Sequence, residues 1–188
     1  PEDFVYLRGA REEMFFKLLQ LHFAPNPGQV MQWLLDHGIG SSLSAYGETE
    51  DAARAIVRQG TMALTKWTNG IRRQIQNCPG HIDLTNCLKR ACVTEDGALL
   101  FVHASVDTTR PLTMQKDQFW WDNGNFNEID QSFSDFSKVI RGYDHSNAGV
   151  ALNRDYTATI DGGCGRGGKL HAVCFTPDGV QHDEIMSK

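Results

Sequence analysis

No stretch of this chain approaches the roughly 20 consecutive apolar residues that a membrane-spanning helix needs, and its first residues carry neither the basic segment nor the apolar core of a secretory signal. Positive charge is short: 18 Lys and Arg against 23 Asp and Glu leave a formal net charge of −5. No overall positive field therefore gathers nucleic acid or anionic lipid, and any phosphate must be held locally. Cysteine is sparse and unpatterned. Cys78, Cys87, Cys92, Cys164 and Cys174 are odd in number and match no Cys-x-x-Cys zinc or redox spacing. Reduced, mostly packed thiols in a cytoplasmic chain are expected. Internal repeats, low-complexity tracts and a clear interdomain linker are also missing. The first residue is Pro rather than Met, so the chain is expected to be processed, trimmed or part of a longer polypeptide. What is present is ordinary globular material: 188 residues, 40% hydrophobic and 22% charged, enough for one domain with a real core.

The patterning separates the chain into a helical and a strand-rich part. Phe4-Val5-Tyr6-Leu7-Arg8 is a β-prone run ending at Gly9, followed by a helix pattern over Glu12–Leu19 with acidic residues near its start. Pro25, Pro27 and Gly28 break it, Val30–Gly38 predicts a second short helix, and Ser41–Gly47 reads as a polar loop. Ala52, Ala55, Ile56, Met62, Leu64, Trp67 and Ile71 suit helices from about residue 50, with Gly60 and Gly70 as interruptions. After the Asp96-Gly97 turn, strands are expected at 98–102, 138–141, 156–160 and 170–175, each bounded by Gly, Asp or Pro.

The polar clusters that end these strands follow a familiar order. Phe4-Val5-Tyr6-Leu7-Arg8-Gly9-Ala10-Arg11-Glu12-Glu13 sits like a strand, Gly-Asn-His-Glu loop and helix. Trp33-Leu34 with Ser44-Ala45-Tyr46-Gly47 matches a Trp-Leu…Ser-Tyr-Gly stretch, and Val102-His103-Ala104 with Arg110-Pro111-Leu112 and Gln115 matches Val-His-Ala-Gly…Arg-Pro-Leu…Gln. Phe119-Trp120-Trp121-Asp122, Val139-Ile140-Arg141-Gly142-Tyr143-Asp144-His145 and Ile160-Asp161-Gly162-Gly163 followed by Gly167-Gly168-Lys169-Leu170 complete the series. Taken together, the chain resembles the calcineurin-like metallophosphoesterases, above all the bacterial serine/threonine protein phosphatases and diadenosine-tetraphosphatase-like enzymes. The resemblance implies an α/β fold, a four-layer α-β-β-α sandwich, as a single incomplete domain over residues 1–188. Its N-terminal strands would be missing, and residues 50–95 would form a helical cap.

In such enzymes, the resemblance implies, two divalent metals of the Mn, Fe or Zn class bind the phosphate and activate a bridging water. Two N-terminal motifs that supply ligands, Asp-x-His and Gly-Asp-x-x-Asp-Arg, are not in this chain. Where the third motif offers a ligand Asn and an acid His, this chain has Ala10 and Arg11; a methyl group ligates nothing, and a guanidinium is a poor proton donor at neutral pH. His103 survives as a possible ligand position, whereas Tyr143 replaces a ligand histidine, with His145 two residues on. Asp122 stands where a phosphate-clamping arginine is expected, exchanging attraction for a dianion for repulsion.

Ala10, Arg11, Asp122 and Tyr143 are thus four losses at chemical positions. They predict a degenerate, non-catalytic domain that binds no cofactor and serves as a binding or assembly module, its sheet completed by a protein partner, an upstream segment or a second copy. The alternative is an active metal-dependent phosphoesterase acting on phosphoproteins or nucleotide phosphate esters, with His103 and His145 joined by ligands from upstream. A third reading is a phosphoprotein or nucleotide reader without turnover, built on Arg11 and loop amides. His22, His37, His81, His171 and His182 lack metal-ligand spacing and read as surface or capping residues. Glu12 and Glu13 read as helix-dipole partners. The glycine-rich run 161–168 lacks the Gly-Lys-Ser/Thr ending of a phosphate loop and reads as a turn between strands, and Cys164 lacks a nucleophile's partner. Phe119, Trp120, Trp121 and Phe126 read as core or interface.

Overall fold

The computed structural model describes residues 4–187, without the side chains of His182 and Asp183, so the reading of His182 falls outside the described residues. The described chain is mixed α/β and divides into two compact units: residues 10–88, and residues 89–187 together with 4–9.

The first unit is helical. Its helices are α1 (Ala10–Leu19), α2 (Pro27–Asp36), α3 (Gly40–Ala45), α4 (Glu50–Ile56), α5 (Thr61–Asn77) and α6 (His81–Cys87). The stop and start signals are local. Asn26 caps α2 by accepting from the Gln29 amide at 3.2 Å, with Pro27 at the first helical position, and Thr49 caps α4 by accepting from the Ala52 amide at 3.1 Å. At Gly60 the backbone takes φ +90°, which admits glycine readily, and α5 starts there. Helix α5 buries Leu64, Thr68, Ile71 and Ile75, a stripe at the helical repeat, and packs on α1 and α6. Each aliphatic member of that stripe contributes about 1.5–3 kcal/mol by leaving water.

Two expectations change here. Most of residues 41–47, read as a polar loop, belongs to α3, because Leu43 is wholly buried and fixes the turn while Ser44 returns its hydroxyl to the Gly40 carbonyl at 3.1 Å. Gly70 does not interrupt α5. It sits in mid-helix, since the flanking Thr68 and Ile71 are buried and that packing outweighs glycine's poor propensity.

In the second unit a four-stranded sheet is ordered β1 (Cys92–Val93), β2 (Leu99–Val102), β3 (Lys138–Arg141) and β4 (Thr157–Thr159). Strand β1 is antiparallel to β2, whereas β2, β3 and β4 run parallel. Both faces of β3 and β4 are buried, as parallel strands usually are. Leu99, Ile140, Leu152 and Ala158 form a core cluster against which Val173 and Phe175 pack from the hairpin of β5 (His171–Phe175) and β6 (Gln181–Met186). Neither β1 nor β6 was signalled by a clear apolar run.

The β-prone run at the N-terminus does not become a strand. Only Leu7 bridges, parallel to Lys89, through the Arg8 amide to the Lys89 carbonyl and the Lys89 amide to the Tyr6 carbonyl, both 2.8 Å. Phe4, Val5 and Tyr6 remain exposed, so β-propensity found too little buried surface to pack on. The thiols also differ from expectation. All five are unpaired, but Cys87, Cys164 and Cys174 are exposed and the other two half-buried, because they fall on helix ends, the short edge strand β1, a turn and the open face of the hairpin.

Candidate functional site

Register fixes which residues meet. The pairs Val102↔Arg141 and Arg141↔Thr159 set the carboxyl ends of β2, β3 and β4 abreast, the edge at which open parallel sheets gather ligands. The residues just beyond each strand therefore share one edge: His103 after β2, Gly142 to His145 after β3, and Asp161 after β4. The Tyr143 amide donates to the His103 carbonyl at 2.9 Å, and the Asp144 amide donates to Asp161 Oδ2 at 2.9 Å.

At the centre lies a side chain whose role the sequence reading missed. Arg141 is wholly buried and stands last in β3. Its Nη1 donates to Asp122 Oδ2 at 2.6 Å, its Nε donates to Thr159 Oγ1 at 2.9 Å, and its guanidinium lies 4.3 Å from the Phe126 ring centre. Nη2 sits 3.2 Å from Asp144 Oδ1, an ion contact outside hydrogen-bond geometry. One signal was legible: an arginine ending an otherwise apolar run, Val139-Ile140-Arg141, cannot stay in a buried strand without a counter-charge.

Asp122 is consequently not the bare repulsive charge expected. Its side chain is 7% exposed, and its other oxygen accepts from the Gly124 amide at 2.9 Å. Asp144 is more fully occupied. Oδ1 accepts from the Ser146 amide and hydroxyl at 3.0 and 2.7 Å, and Oδ2 accepts from the same hydroxyl and the Ala148 amide at 2.8 and 3.1 Å. Burial pushes the Asp144 carboxyl up, but the Ser146 and Ala148 hydrogen bonds and the Arg141 charge outweigh it and hold the group below the usual carboxylate range.

Around this ion cluster stand His103, Tyr143, His145 and Arg166. The His103 and Tyr143 rings stack 5.0 Å apart with planes 5° from parallel. Tyr143 also accepts from Arg166 Nη2 at 3.0 Å, lies 5.6 Å beneath that guanidinium, and has its hydroxyl 3.5 Å from His145 Nδ1. Three of the four sequence candidates in this unit, His103, Tyr143 and His145, thus come together. Asp122 reaches the same edge through Arg141.

Ala10 and Arg11 begin α1 in the helical unit. The Arg11 guanidinium donates to the Gly38 carbonyl and, at 3.4 Å, to Ser41 Oγ, so it ties α1 to the turn between α2 and α3. Three of the remaining histidines, His37, His81 and His171, have structural partners, whereas His22 is half-buried with its Nδ1 unpaired. His37 ends α2 with Nδ1 2.7 Å from the Trp33 carbonyl, and His81 Nδ1 is 2.9 Å from Tyr46 Oη. His171 Nδ1 pairs with Glu184 across β5 and β6 at 2.6 Å, a pairing invisible at sequence spacing. The 161–168 segment is a turn: Asp161 Oδ1 accepts from the Gly163 amide at 2.9 Å, and a short helical turn spans Cys164–Arg166. Phe119, Trp120 and Phe126 are core, and Trp120 Nε1 donates to the Arg8 carbonyl at 3.0 Å.

A two-metal centre does not fit this donor set. Asp144 has spent its oxygens, Asp122 is paired with Arg141, and among the described residues no three His, Cys, Asp or Glu side chains converge. The arrangement is suited to holding three strand ends rigidly. Comparison with family models, with curated proteins and with solved structures gives no significant match.

Proposed function

We propose that the chain is a degenerate metallophosphoesterase-like domain, of the four-layer α-β-β-α type, that binds or assembles with a protein partner and does not hydrolyse phosphate esters. The observation carrying this reading is the buried ion cluster of Arg141, Asp122 and Asp144. It fills the carboxyl edge of the parallel strands with charges already engaged, Asp122 by Arg141 and Asp144 by Ser146 and Ala148, where a phosphoesterase of this kind keeps charges free for metal and phosphate. A binding role is supported by apolar surface left in water at Phe4 and Tyr6 and, on the hairpin, at Leu170 and Ile185.

The test is metal content by inductively coupled plasma mass spectrometry, with p-nitrophenyl phosphate turnover in added manganese on the same purified full chain. Turnover no higher than a metal-only blank, unchanged by His103→Ala, is expected. About two metals per chain, with turnover abolished by His103→Ala, would overturn the proposal in favour of a working phosphatase.

A further inference from the structure

The helical unit contains a cavity of about 430 Å³, a size suited to a small organic ligand. Its wall is mainly apolar, with Phe15, Phe16 and Leu19 from α1, Ile75 from α5, and Ile82 and Leu84 from α6. Ile82 and Leu84 are 40% and 49% exposed, so this wall is open to water. The Phe15 and Tyr46 rings stack 5.3 Å apart and give the wall an aromatic face.

Two arginines, Arg11 and Arg72, line this wall with one acidic residue, Glu12. Arg11 donates to the Gly38 carbonyl and the Ser41 hydroxyl; Arg72 donates to the Leu19 carbonyl at 2.8 Å and the Asn69 side-chain oxygen at 3.3 Å. Those acceptors are all neutral, so they orient both guanidiniums without cancelling their charge. Two cations against one anion leave the wall one positive charge in excess. A monoanion balances that excess, whereas a phosphate dianion would bring an uncompensated charge into apolar surroundings.

We propose that this cavity binds a small aromatic carboxylate, its ring against the Phe15–Tyr46 face and its charge matched to the guanidinium excess. This proposal is independent of the phosphatase-like reading, since it concerns the helical unit alone.

Isothermal titration calorimetry of the full chain with 2-naphthoate tests it, using 2-naphthalenemethanol and 2-naphthyl phosphate as ring-matched controls. Saturable binding of one naphthoate is expected, with both controls weaker by about tenfold or more. Arg72→Gln or Arg11→Gln should weaken naphthoate by a similar factor. Leu84→Trp, at a half-exposed position on the wall, should abolish binding while circular dichroism stays that of the parent. No saturable binding to the parent, equal binding of the uncharged alcohol, tighter binding of the phosphate, or indifference to all three substitutions would each overturn the proposal.

Discussion

Replacing Arg141 by methionine is expected to destabilise the strand-rich unit by about 3–5 kcal/mol, because it strands buried carboxylates whose counter-charge is gone. The Arg141 side chain is 0% exposed, and Asp122 and Asp144 are 7% and 3% exposed, so little solvent screens the loss. The two acids do not suffer alike. Asp144 keeps its bonds from Ser146 and Ala148, whereas Asp122 keeps only the Gly124 amide, so most of the cost falls on Asp122. Asp122→Leu alone leaves the buried guanidinium with the poorly aligned Asp144 contact and Thr159, at a cost of similar size. The double variant removes both charges and fills their space with apolar atoms, so it should lie within about 1–2 kcal/mol of the parent. The coupling energy should then exceed about 2 kcal/mol. Urea unfolding of the full chain, followed by tryptophan fluorescence because Trp120 is buried in this unit, would measure it by linear extrapolation. Additive single effects to within about 0.5 kcal/mol, or an Arg141→Met cost below about 1 kcal/mol, would refute the reasoning that Arg141 and Asp122 act as one coupled buried pair.

Acid should weaken the same unit. Asp96, Asp107 and Asp178 are held below the usual carboxylate range by hydrogen bonds first from Thr94, Thr109 and Thr176, and Asp144 joins them. A group with a depressed folded pKa stabilises above its unfolded value, about 3.9 for Asp, and loses that contribution as pH falls through the folded value. The urea midpoint should therefore drop between about pH 5 and 2, and Asp144→Asn should flatten the drop; a pH-independent midpoint would contradict the assignment. Gly168→Ala should lower the melting temperature markedly, since an added Cβ would lie 2.0 Å from the Gly162 carbonyl oxygen. Gly70→Ala should do the opposite, raising stability by about 0.5–1 kcal/mol, because mid-helix Gly70 has open space around it; differential scanning calorimetry checks both.

Elements with a strong local signal were legible in the residues. Helices at 12–19 and 30–38 were marked by apolar spacing and by Pro27 and Gly38, and the strands over 98–102, 138–141, 156–160 and 170–175 were marked by apolar runs between turn residues. Where the signal was weak or misleading, packing decided. Serines concealed α3, Gly70 suggested a break that buried neighbours prevent, and the propensity of Phe4–Arg8 yielded, among the described residues, the Leu7–Lys89 bridge in place of a strand. The same division holds at the site. His103, Tyr143 and His145 could be named because each follows an apolar strand, but the stacking of the first two depends on the parallel register of β2 and β3.

Sequence alone determined the charge balance and the alternation of helical and β-prone segments, because each is a property of residue type and local spacing. Only the tertiary structure decided what Asp122 does. Nineteen positions separate it from Arg141, and register, burial and a 2.6 Å contact convert a seeming repulsive charge into half of a buried pair. Charge acts through distance and dielectric, and neither is written in the order of the residues.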